Sequence, residues 1–212
     1  MSDDEYFETR MAYSAERGRV WAVIAEYLQQ YVPADSKVLD IGAGYCDFIN
    51  NIKASEKHAL DTWKGFKKYA KGEVKTHVVS CTDMGGLESN HFNVVFASNL
   101  FEHLEADEIK RTLAEVKRVL AGSGRLILIQ PNFKYAYREY FDDYTHRTIF
   151  TDSGLRDMLE ANGFKILTLI PKFLPFSMKS GGGVSSPSIV SLYLRSPFRP
   201  FAKQMLVVAE KK

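Results

Sequence analysis

Short apolar runs alternate with helical patterns along most of the chain. This alternation predicts an α/β fold, a mostly parallel sheet of seven strands with helices on both faces. Hydrophobic residues make up 45% of the 212 residues and charged residues 25%, which is the balance of a globular protein with a sizeable core. Because the length is close to that of one domain, we predict a single domain over residues 1–212.

The elements follow one another in a regular order after a helical lead-in within residues 1–33. Apolar residues recur at helical spacing between Ser14 and Tyr31, and Pro33 follows as a stop. The predicted strands are Lys37–Ile41, Lys57–Leu60, Thr76–Ser80, Phe92–Ala97, Leu126–Ile129, Lys165–Ile170 and Met205–Ala209. The predicted helices between them are Phe48–Ile52, Trp63–Ala70, Glu105–Leu120 and Thr151–Ala161, with Thr151 as an N-cap.

The stretch between the last two strands differs from the rest of the chain. We divide the domain into a core at 34–170, an insertion at 171–204 and a last strand at 205–212. The insertion carries three consecutive glycines, no acidic residue up to position 203, and the cations Lys172, Lys179, Arg195, Arg199 and Lys203. Such a mixture of basic and bulky apolar residues is typical of a surface for an anionic amphiphile, a glycolipid or membrane headgroups. A packed insertion with solvated charges is the alternative.

Charge, cysteine content and the first residues exclude several classes of protein. The 28 basic and 26 acidic residues give a net charge of +2, too little for binding to nucleic acid through overall charge. Cys46 and Cys81 form no CxxC motif and no framework of disulfides. The first residues are acidic, and no apolar run approaches the roughly 18 residues that span a bilayer. We therefore expect a cytoplasmic protein.

The most informative segment is a strand that ends in Asp40-Ile41-Gly42-Ala43-Gly44. Glycines at such a turn let the backbone approach a nucleotide-like ligand. A dinucleotide fingerprint would place a third glycine where Asp47 stands, and a carboxylate there repels pyrophosphate. NAD is disfavoured, and we expect a ligand that carries a positive group and no phosphate near the loop.

The segment resembles the first motif of the class I S-adenosylmethionine-dependent methyltransferases, hydrophobic-x-Asp-x-Gly-x-Gly-x-Gly. Asp40, Gly42 and Gly44 match this motif, and Cys46 occupies the place where the third glycine often stands. The resemblance implies a Rossmann-like fold with an antiparallel last strand, S-adenosylmethionine as cofactor and S-adenosylhomocysteine as product. It also implies backbone contacts from Ala43 and Gly44 to the methionine part of the cofactor.

Polar residues after the next three strands extend the resemblance. Asp61 follows the second strand, where a carboxylate accepts hydrogen bonds from the ribose hydroxyls, and Thr62 stands beside it. In this family an acidic residue after the third strand commonly faces the adenine amine, which implies Asp83 with the backbone amide of Met84. Asn99 ends the fourth strand, closest to the cofactor.

Methyl transfer to a hydroxyl requires alignment of the two reactants and a base. His146 lies in the loop after the fifth strand, and Asp143 is placed to orient it. The alternative is that His146 caps the following helix or closes the pocket. His103 is the second candidate base, although it begins a helix and a structural role is the alternative there too. No cluster of histidines, cysteines or carboxylates has metal-ligand spacing, so we expect no metal site.

The acceptor is the least determined part of the prediction. The lead-in and the insertion resemble methyltransferases that occur with enzymes of bacterial surface-polysaccharide biosynthesis, which favours a small-molecule, glycan or glycolipid hydroxyl. The alternatives are a nitrogen or carboxyl acceptor that needs no base, and a regulatory protein that binds the cofactor without turnover. Ala97-Ser98-Asn99-Leu100 lacks the Asp/Asn-Pro-Pro-aromatic motif of methyltransferases that act on DNA bases, so no nucleic acid partner is expected. Nothing in the sequence selects an oligomeric state.

Overall fold

A computed structural model describes residues 12–175 and 186–212 and contains one sheet of seven strands. The strands are β1 (Lys37–Ile41), β2 (Glu56–Asp61), β3 (Val74–Val78), β4 (Phe92–Ser98), β5 (Leu120–Pro131), β6 (Phe164–Pro175) and β7 (Ala202–Lys211). The α-helices are α1 (Ala15–Leu28), α2 (Ala106–Val119), α3 (Phe133–Ala136), α4 (Asp152–Ala161) and α5 (Pro187–Arg195). Short 3-10 helices are formed by Gln29–Tyr31, Lys64–Tyr69, Phe101–His103 and Tyr140–Asp142.

The order of strands across the sheet is β3-β2-β1-β4-β5-β7-β6. Strands β1 to β5 pair in parallel, and β7 runs antiparallel to both of its neighbours. The predicted α/β fold with an antiparallel last strand is confirmed. Because the chain order reverses between β1 and β4, a crevice is expected beyond their carboxyl ends, where α/β sheets bind ligands.

Both faces of the sheet are covered by helices, as predicted. On one face α1 and α5 pack against each other and bury residues such as Ile24 and Leu194 over the strands. On the other face α2 and α4 bury Leu113 and Leu155 in a second apolar cluster. The central segments 94–97 of β4 and 126–129 of β5 are wholly apolar, as expected where a parallel sheet is buried on both sides.

The segment after β1 differs from the prediction, because Phe48–Ile52 forms successive turns rather than part of a helix. Single helical hydrogen bonds are present, from Asn50 N to Cys46 O and from Ile52 N to Phe48 O, both at 3.0 Å. Cys46 has a left-handed φ of 58°, which prevents a continuous helix from beginning in the loop. The side chain of Asn50 also bonds to a distant backbone carbonyl, which competes with helical geometry.

The helix predicted at Trp63–Ala70 is instead the 3-10 helix Lys64–Tyr69. The indole of Trp63, which is almost fully buried, folds over this short helix. A Cβ atom on Gly65 would lie only 2.4 Å from the indole ring. The local conformation is therefore set by packing of a large ring against a glycine, which helical periodicity does not reveal.

The last two strands are longer than predicted and enclose the insertion. β6 continues to Pro175 and β7 begins at Ala202, and α5 lies between them in the chain. Two of the predicted features, Lys179 and the glycines at 181–183, lie outside the described residues. No helix within residues 12–175 and 186–212 has both the length and the hydropathy required to cross a membrane.

Candidate cofactor-binding and active site

The loop after β1 is shaped by three residues with left-handed backbone. Gly42, Gly44 and Cys46 have φ values of 68°, 51° and 58°. A Cβ atom on Gly42 would also lie 2.9 Å from Leu100 Cδ1, so this position needs glycine for space as well as for conformation. Cys46 stands at the third position of the motif, and its left-handed backbone explains why a glycine often occupies that position.

The backbone amides of this loop are used within the protein. Gly42 N and Ala43 N donate to Leu60 O at 2.9 and 3.1 Å, and Gly44 N donates to Asp61 Oδ2 at 2.8 Å. These bonds fix the loop to the end of β2. Backbone contacts from Ala43 and Gly44 to the cofactor were predicted, and the amides of both residues already bond within the protein. The carbonyl of Ala43 also accepts from Cys46 N, at 2.7 Å.

Asp61 ends β2 and is 8% exposed. Its Oδ1 accepts a hydrogen bond from Trp63 N at 2.9 Å, while Oδ2 is held by Gly44 N. Each carboxylate oxygen has two lone pairs, and a ribose hydroxyl is a donor of the kind that such an oxygen accepts. Thr62, the next residue, is exposed at the same end of the sheet.

Three carboxyl groups gather around the glycine loop. The pKa of Asp40 is raised well above its usual range, first by burial and then by the charges of Asp61 and Asp47. The pKa of Cys46 is raised by burial and by the same carboxylates. Such a site favours a positively charged ligand and disfavours a pyrophosphate. The residues present therefore fit the sulfonium and ammonium groups of S-adenosylmethionine.

The start of α1 closes over the loop, which the sequence analysis missed. Arg17 Nε donates to Asp47 Oδ2 at 2.7 Å, and the guanidinium carbon lies 4.6 Å from the ring centroid of Tyr45. Arg17 Nη2 is buried and has no hydrogen-bond partner among the described residues. Tyr13 stacks on Tyr69 at a centroid distance of 5.2 Å, so aromatic rings cover the same region. No local motif marks Arg17, because its partner lies 30 positions away.

The loop after β3 places Asp83 at the surface and buries Met84. Met84 N donates to Glu115 Oε2 at 2.7 Å, and Met84 O accepts from Arg118 Nη2 at 2.8 Å. Both backbone groups thus hold the loop on α2, and the amide that the sequence analysis assigned to adenine is occupied. Asp83 Oδ1 accepts from Gly85 N at 3.2 Å and remains the candidate for the adenine amine.

Asn99 follows β4 with a left-handed φ of 50° and an exposed side chain. Its Oδ1 accepts from Gln204 Nε2 at 2.7 Å, and its Nδ2 donates to Ser98 Oγ at 3.1 Å. The side chain is therefore oriented from both sides at the crevice between β1 and β4. Gln204, which does this from β7, was not foreseen because the two residues are 105 positions apart.

His103 and His146 lie together, with ring centroids 4.9 Å apart. His146 Nδ1 is 2.6 Å from Tyr140 O, and since a carbonyl only accepts, Nδ1 carries the proton. The hydroxyl of Thr145 lies 2.5 Å from Asp143 Oδ1, to which it donates, so it accepts from His103 Nδ1 at 2.9 Å. In each neutral ring the basic nitrogen is therefore Nε2. Asp143 supports His103 through Thr145, while the carbonyl of Tyr140 fixes the tautomer of His146.

The carboxyl group of Glu102 lies beside the two histidines. Its side chain is 1% exposed, and it accepts from Gln130 Nε2 at 2.9 Å. Its backbone carbonyl accepts from Arg147 N at 2.7 Å, which ties the loop of His146 to the 3-10 helix that carries His103. Both histidines were predicted from the sequence, whereas the buried carboxylate that lies beside them was not.

Tyr140 packs against His146 at a ring-centroid distance of 4.6 Å. Its hydroxyl donates to the backbone carbonyl of Thr148. Burial, and then the charge of Glu102, raise the pKa of Tyr140. The phenol therefore stays protonated and acts as a fixed donor rather than as a base.

The fold also assembles ligand-type side chains that sequence spacing did not reveal. Glu102, His103 and His146 each place one such atom within 4.8 Å of the others. A second group, Glu56, His58 and His91, lies at the opposite end of the sheet. In the second group a hydrogen bond from Lys75, followed by one from His58, lowers the pKa of Glu56 to about 2. The expectation of no metal-type cluster rested on spacing along the chain, and the folded chain brings two together.

Comparison with known proteins agrees with the observed fold. Residues 39–128 match the family model described as a methyltransferase domain. No curated protein matches the sequence significantly. A solved S-adenosylmethionine-dependent methyltransferase from Archaeoglobus fulgidus has a TM-score of 0.66 at 18% identity, with 98% of each chain covered. A methyltransferase structure from Bacillus halodurans has a TM-score of 0.64 at 17% identity, covering 89% of this chain and 98% of that one.

A third similar structure is a Haloferax volcanii methyltransferase in complex with the Trm112 methyltransferase activator. It has a TM-score of 0.71 at 14% identity, covering 99% of this chain and 97% of that one. The matched segment begins within β1 and ends within β5, so it contains the glycine loop, Asp61 and His103. Over these residues the chain is similar to a methyltransferase domain, its fold is that of the class I methyltransferases, and the cofactor that this similarity and fold imply is S-adenosylmethionine.

Proposed function

We propose that the chain transfers a methyl group from S-adenosylmethionine to an acceptor held at the crevice between β1 and β4. The observation that carries this proposal is the junction of the glycine loop and β2, where Gly44 N and Asp61 Oδ2 meet at 2.8 Å beside two further carboxyl groups. This junction suits a cofactor with ribose hydroxyls and a positive charge. When bound, the cofactor supplies an electrophilic methyl group.

We assign the cofactor's parts to four positions. The carbonyl oxygens of residues 42–44 face its ammonium group, Asp61 accepts from its ribose, and Asp83 receives its adenine amine. Arg17 Nη2, which is buried without a partner among the described residues, is placed to bind the carboxylate of the methionine part. Asn99 stands at the end of β4 between this cofactor and the acceptor.

We assign removal of the acceptor's proton to His146. Its Nδ1 is fixed as a donor by Tyr140 O, which leaves Nε2 to accept a proton from a hydroxyl. Glu102, buried close by, stabilises the imidazolium that forms, because opposite charges attract strongly in a site that excludes water. His103 is the second basic nitrogen, supported by Asp143 through Thr145.

The acceptor in this proposal is a small-molecule or glycan hydroxyl. The sequence resemblance to methyltransferases found with surface-polysaccharide enzymes supports the glycan, and the basic insertion at 171–203 supports a glycolipid or membrane contact. The two histidines support a hydroxyl acceptor, because a hydroxyl must lose its proton as the methyl group is transferred, whereas a carboxylate is already ionised at neutral pH.

The test is an acceptor screen that measures release of S-adenosylhomocysteine, with sugars, phenols, amines and carboxylic acids as separate pools. We expect turnover with a hydroxyl pool, and loss of that turnover in His146→Ala. A chelator added to the same assay shows whether the Glu102 cluster acts through an ion. Turnover with the amine or acid pool alone would contradict the assignment of a base, and absence of cofactor binding would contradict the proposal as a whole.

A further inference from the structure

A cavity of about 540 Å³ lies where α3 meets the start of β7, and no part of the proposed mechanism uses it. We call it the basic aromatic cavity. Its lining residues are Lys134, Tyr135, Tyr137, Lys172, Pro197, Phe198, Arg199, Pro200, Phe201, Ala202 and Lys203. The lining therefore contains four cations, four aromatic rings and no acidic residue.

Two of the cations are already neutralised from outside the lining. Lys134 Nζ lies 2.8 Å from Asp152 Oδ1, and Lys203 Nζ lies 2.6 Å from Glu139 Oε1. Lys172 has no carboxylate partner among the described residues, and its ammonium lies 4.6 Å from the ring centroid of Tyr135. This lysine is free to pair with an anion from solution.

Arg199 gives the second, independent sign of a ligand. Its Nη2 donates to Leu194 O at 2.9 Å, and its guanidinium lies 5.5 Å from the ring centroid of Phe173. Its Nη1 is buried and has no hydrogen-bond partner within the described part of the chain. The Arg199 guanidinium is a permanent cation with no carboxylate partner among the described residues, so its charge favours an anionic ligand in the cavity that it lines.

The rim of the cavity is apolar and exposed. Phe198 is 76% exposed and Phe201 is 85% exposed, and Phe201 has a left-handed φ of 60°. A bulky residue rarely adopts this conformation in a turn without a reason in the surrounding structure. Exposed large rings beside unpaired cations fit a ligand with an anionic group on an aromatic or aliphatic stem.

The cavity connects to the candidate active site through two contacts. Lys203 precedes Gln204, whose side chain holds Asn99, and Lys203 O accepts from Asn132 N at 2.8 Å. On the other side Phe133, in α3, packs against Tyr140 at a centroid distance of 5.2 Å. The same short segments thus line the cavity and position the residues that face the acceptor.

We infer that the basic aromatic cavity binds the anionic end of the methyl acceptor, with its stem against Phe198 and Phe201. The acceptor is then an organic phosphate or carboxylate that carries an apolar stem and the hydroxyl that is methylated, rather than a neutral sugar. The identification of this ligand as the acceptor rests on the proposed function, whereas its binding to the cavity does not.

Calorimetric titration with 1-naphthyl phosphate tests the inference, with 1-naphthol and inorganic phosphate as probes that lack the anion or the stem. We expect 1-naphthyl phosphate to bind about ten-fold more tightly than either. Lys172→Gln and Arg199→Gln should each weaken this binding several-fold, and Arg156→Gln, an exposed cation on α4, should leave it unchanged. Because Arg199 is partly packed, the exposed Lys172 keeps the test valid if Arg199→Gln fails to fold.

Parallel titrations with S-adenosylmethionine separate this inference from the proposed function. Equal binding of the three probes, or binding unaffected by Lys172→Gln, would overturn the cavity assignment while leaving the cofactor site intact. Failure to bind S-adenosylmethionine would overturn the proposed function while the naphthyl phosphate result stands alone. Co-sedimentation with phosphatidylglycerol vesicles, without any binding of 1-naphthyl phosphate, would show a membrane surface instead and contradict the inference.

Discussion

Asp61 and Gly44 form the contact on which the cofactor assignment depends. The carboxyl group of Asp61 at the end of β2 accepts hydrogen bonds from two backbone donors, and ribose hydroxyls are donors of the kind that it accepts. Hydrogen bonds to a charged acceptor are stronger than those between neutral groups. The charge of Asp61, and not only its shape, should therefore determine the affinity for the cofactor.

We expect Asp61→Asn to weaken binding of S-adenosylmethionine by about 1.5 to 3 kcal/mol, because charge-assisted hydrogen bonds are lost while the size is kept. Calorimetric titration of the variant measures this. Asp157→Asn, on the exposed face of α4, serves as the control. Equal affinity of the Asp61 variant and the unmodified protein would show that the ribose lies elsewhere.

For His146→Ala we expect the rate of methyl transfer to fall by roughly 10² to 10⁴, with unchanged affinity for the cofactor, because a base is lost without loss of a binding group. The rate is measured with the acceptor found in the screen, and the affinity by titration. His91→Ala, just before the start of β4 and so at the opposite end of that strand from Asn99, is the matched control. A rate that survives in His146→Ala would leave His103 as the base or exclude base catalysis.

At this scale the sequence predicted the residues of the cofactor motif better than their partners. The backbone of Cys46 is left-handed, as a glycine-rich motif requires, and Asp61 stands at the end of β2, where it was predicted. The sequence could not show that the amides of Ala43 and Met84 bond within the protein, because their acceptors, Leu60 O and Glu115, come close only in the packed fold.

At the scale of elements, periodicity predicted those that bury one continuous apolar face. α2 and α4 lie within one residue of the predicted ranges, and the Thr151 side chain accepts from Gly154 N as an N-cap. The elements that were predicted wrongly are those whose conformation depends on tertiary contacts. The segment 48–52 and the 3-10 helix Lys64–Tyr69 surround the cofactor loop and depend on side chains that arrive from elsewhere.

The 3-10 helix Lys64–Tyr69 provides a test of this argument. In Gly65→Ala the new methyl group would lie 2.4 Å from the buried indole of Trp63, so the ring or the backbone must move. We expect a loss of about 1 to 3 kcal/mol in the free energy of unfolding, as for overpacking. Gly72→Ala, where no atom lies within 4 Å of the new Cβ, is the control. Urea unfolding measures both, and equal stability of the two variants would contradict the packing.

At the scale of the whole molecule, the candidate site residues lie at one end of the sheet. Asp61 and Asn99 stand at or just after the carboxyl ends of β2 and β4, while Glu56 and His91 lie at the opposite ends of the same strands. The mostly parallel sheet of seven strands with an antiparallel last strand was implied by family resemblance and is confirmed. The basic insertion was recognised from composition, although its cavity appears only when β7 and α3 come together.

The neighbouring side chains of His58 and His77 predict how stability depends on pH. Burial is the main cause of a lowered pKa in both His58 and His77. The unfolded chain therefore binds protons that the folded chain does not, and the free energy of unfolding should fall as pH decreases below about 6.5. Urea unfolding at pH 7.5 and 5.5 measures this, and His77→Gln should reduce the difference. An identical pH dependence in that variant would exclude His77 as a contributor.

The most direct test of the central claim is calorimetric titration of the protein with S-adenosylmethionine, S-adenosylhomocysteine and NAD in parallel. The glycine loop with its three neighbouring carboxyl groups predicts micromolar binding of the first two and no binding of the pyrophosphate-containing NAD. Binding of NAD alone, or of none of the three, would contradict both the cofactor assignment and the methyl transfer that depends on it.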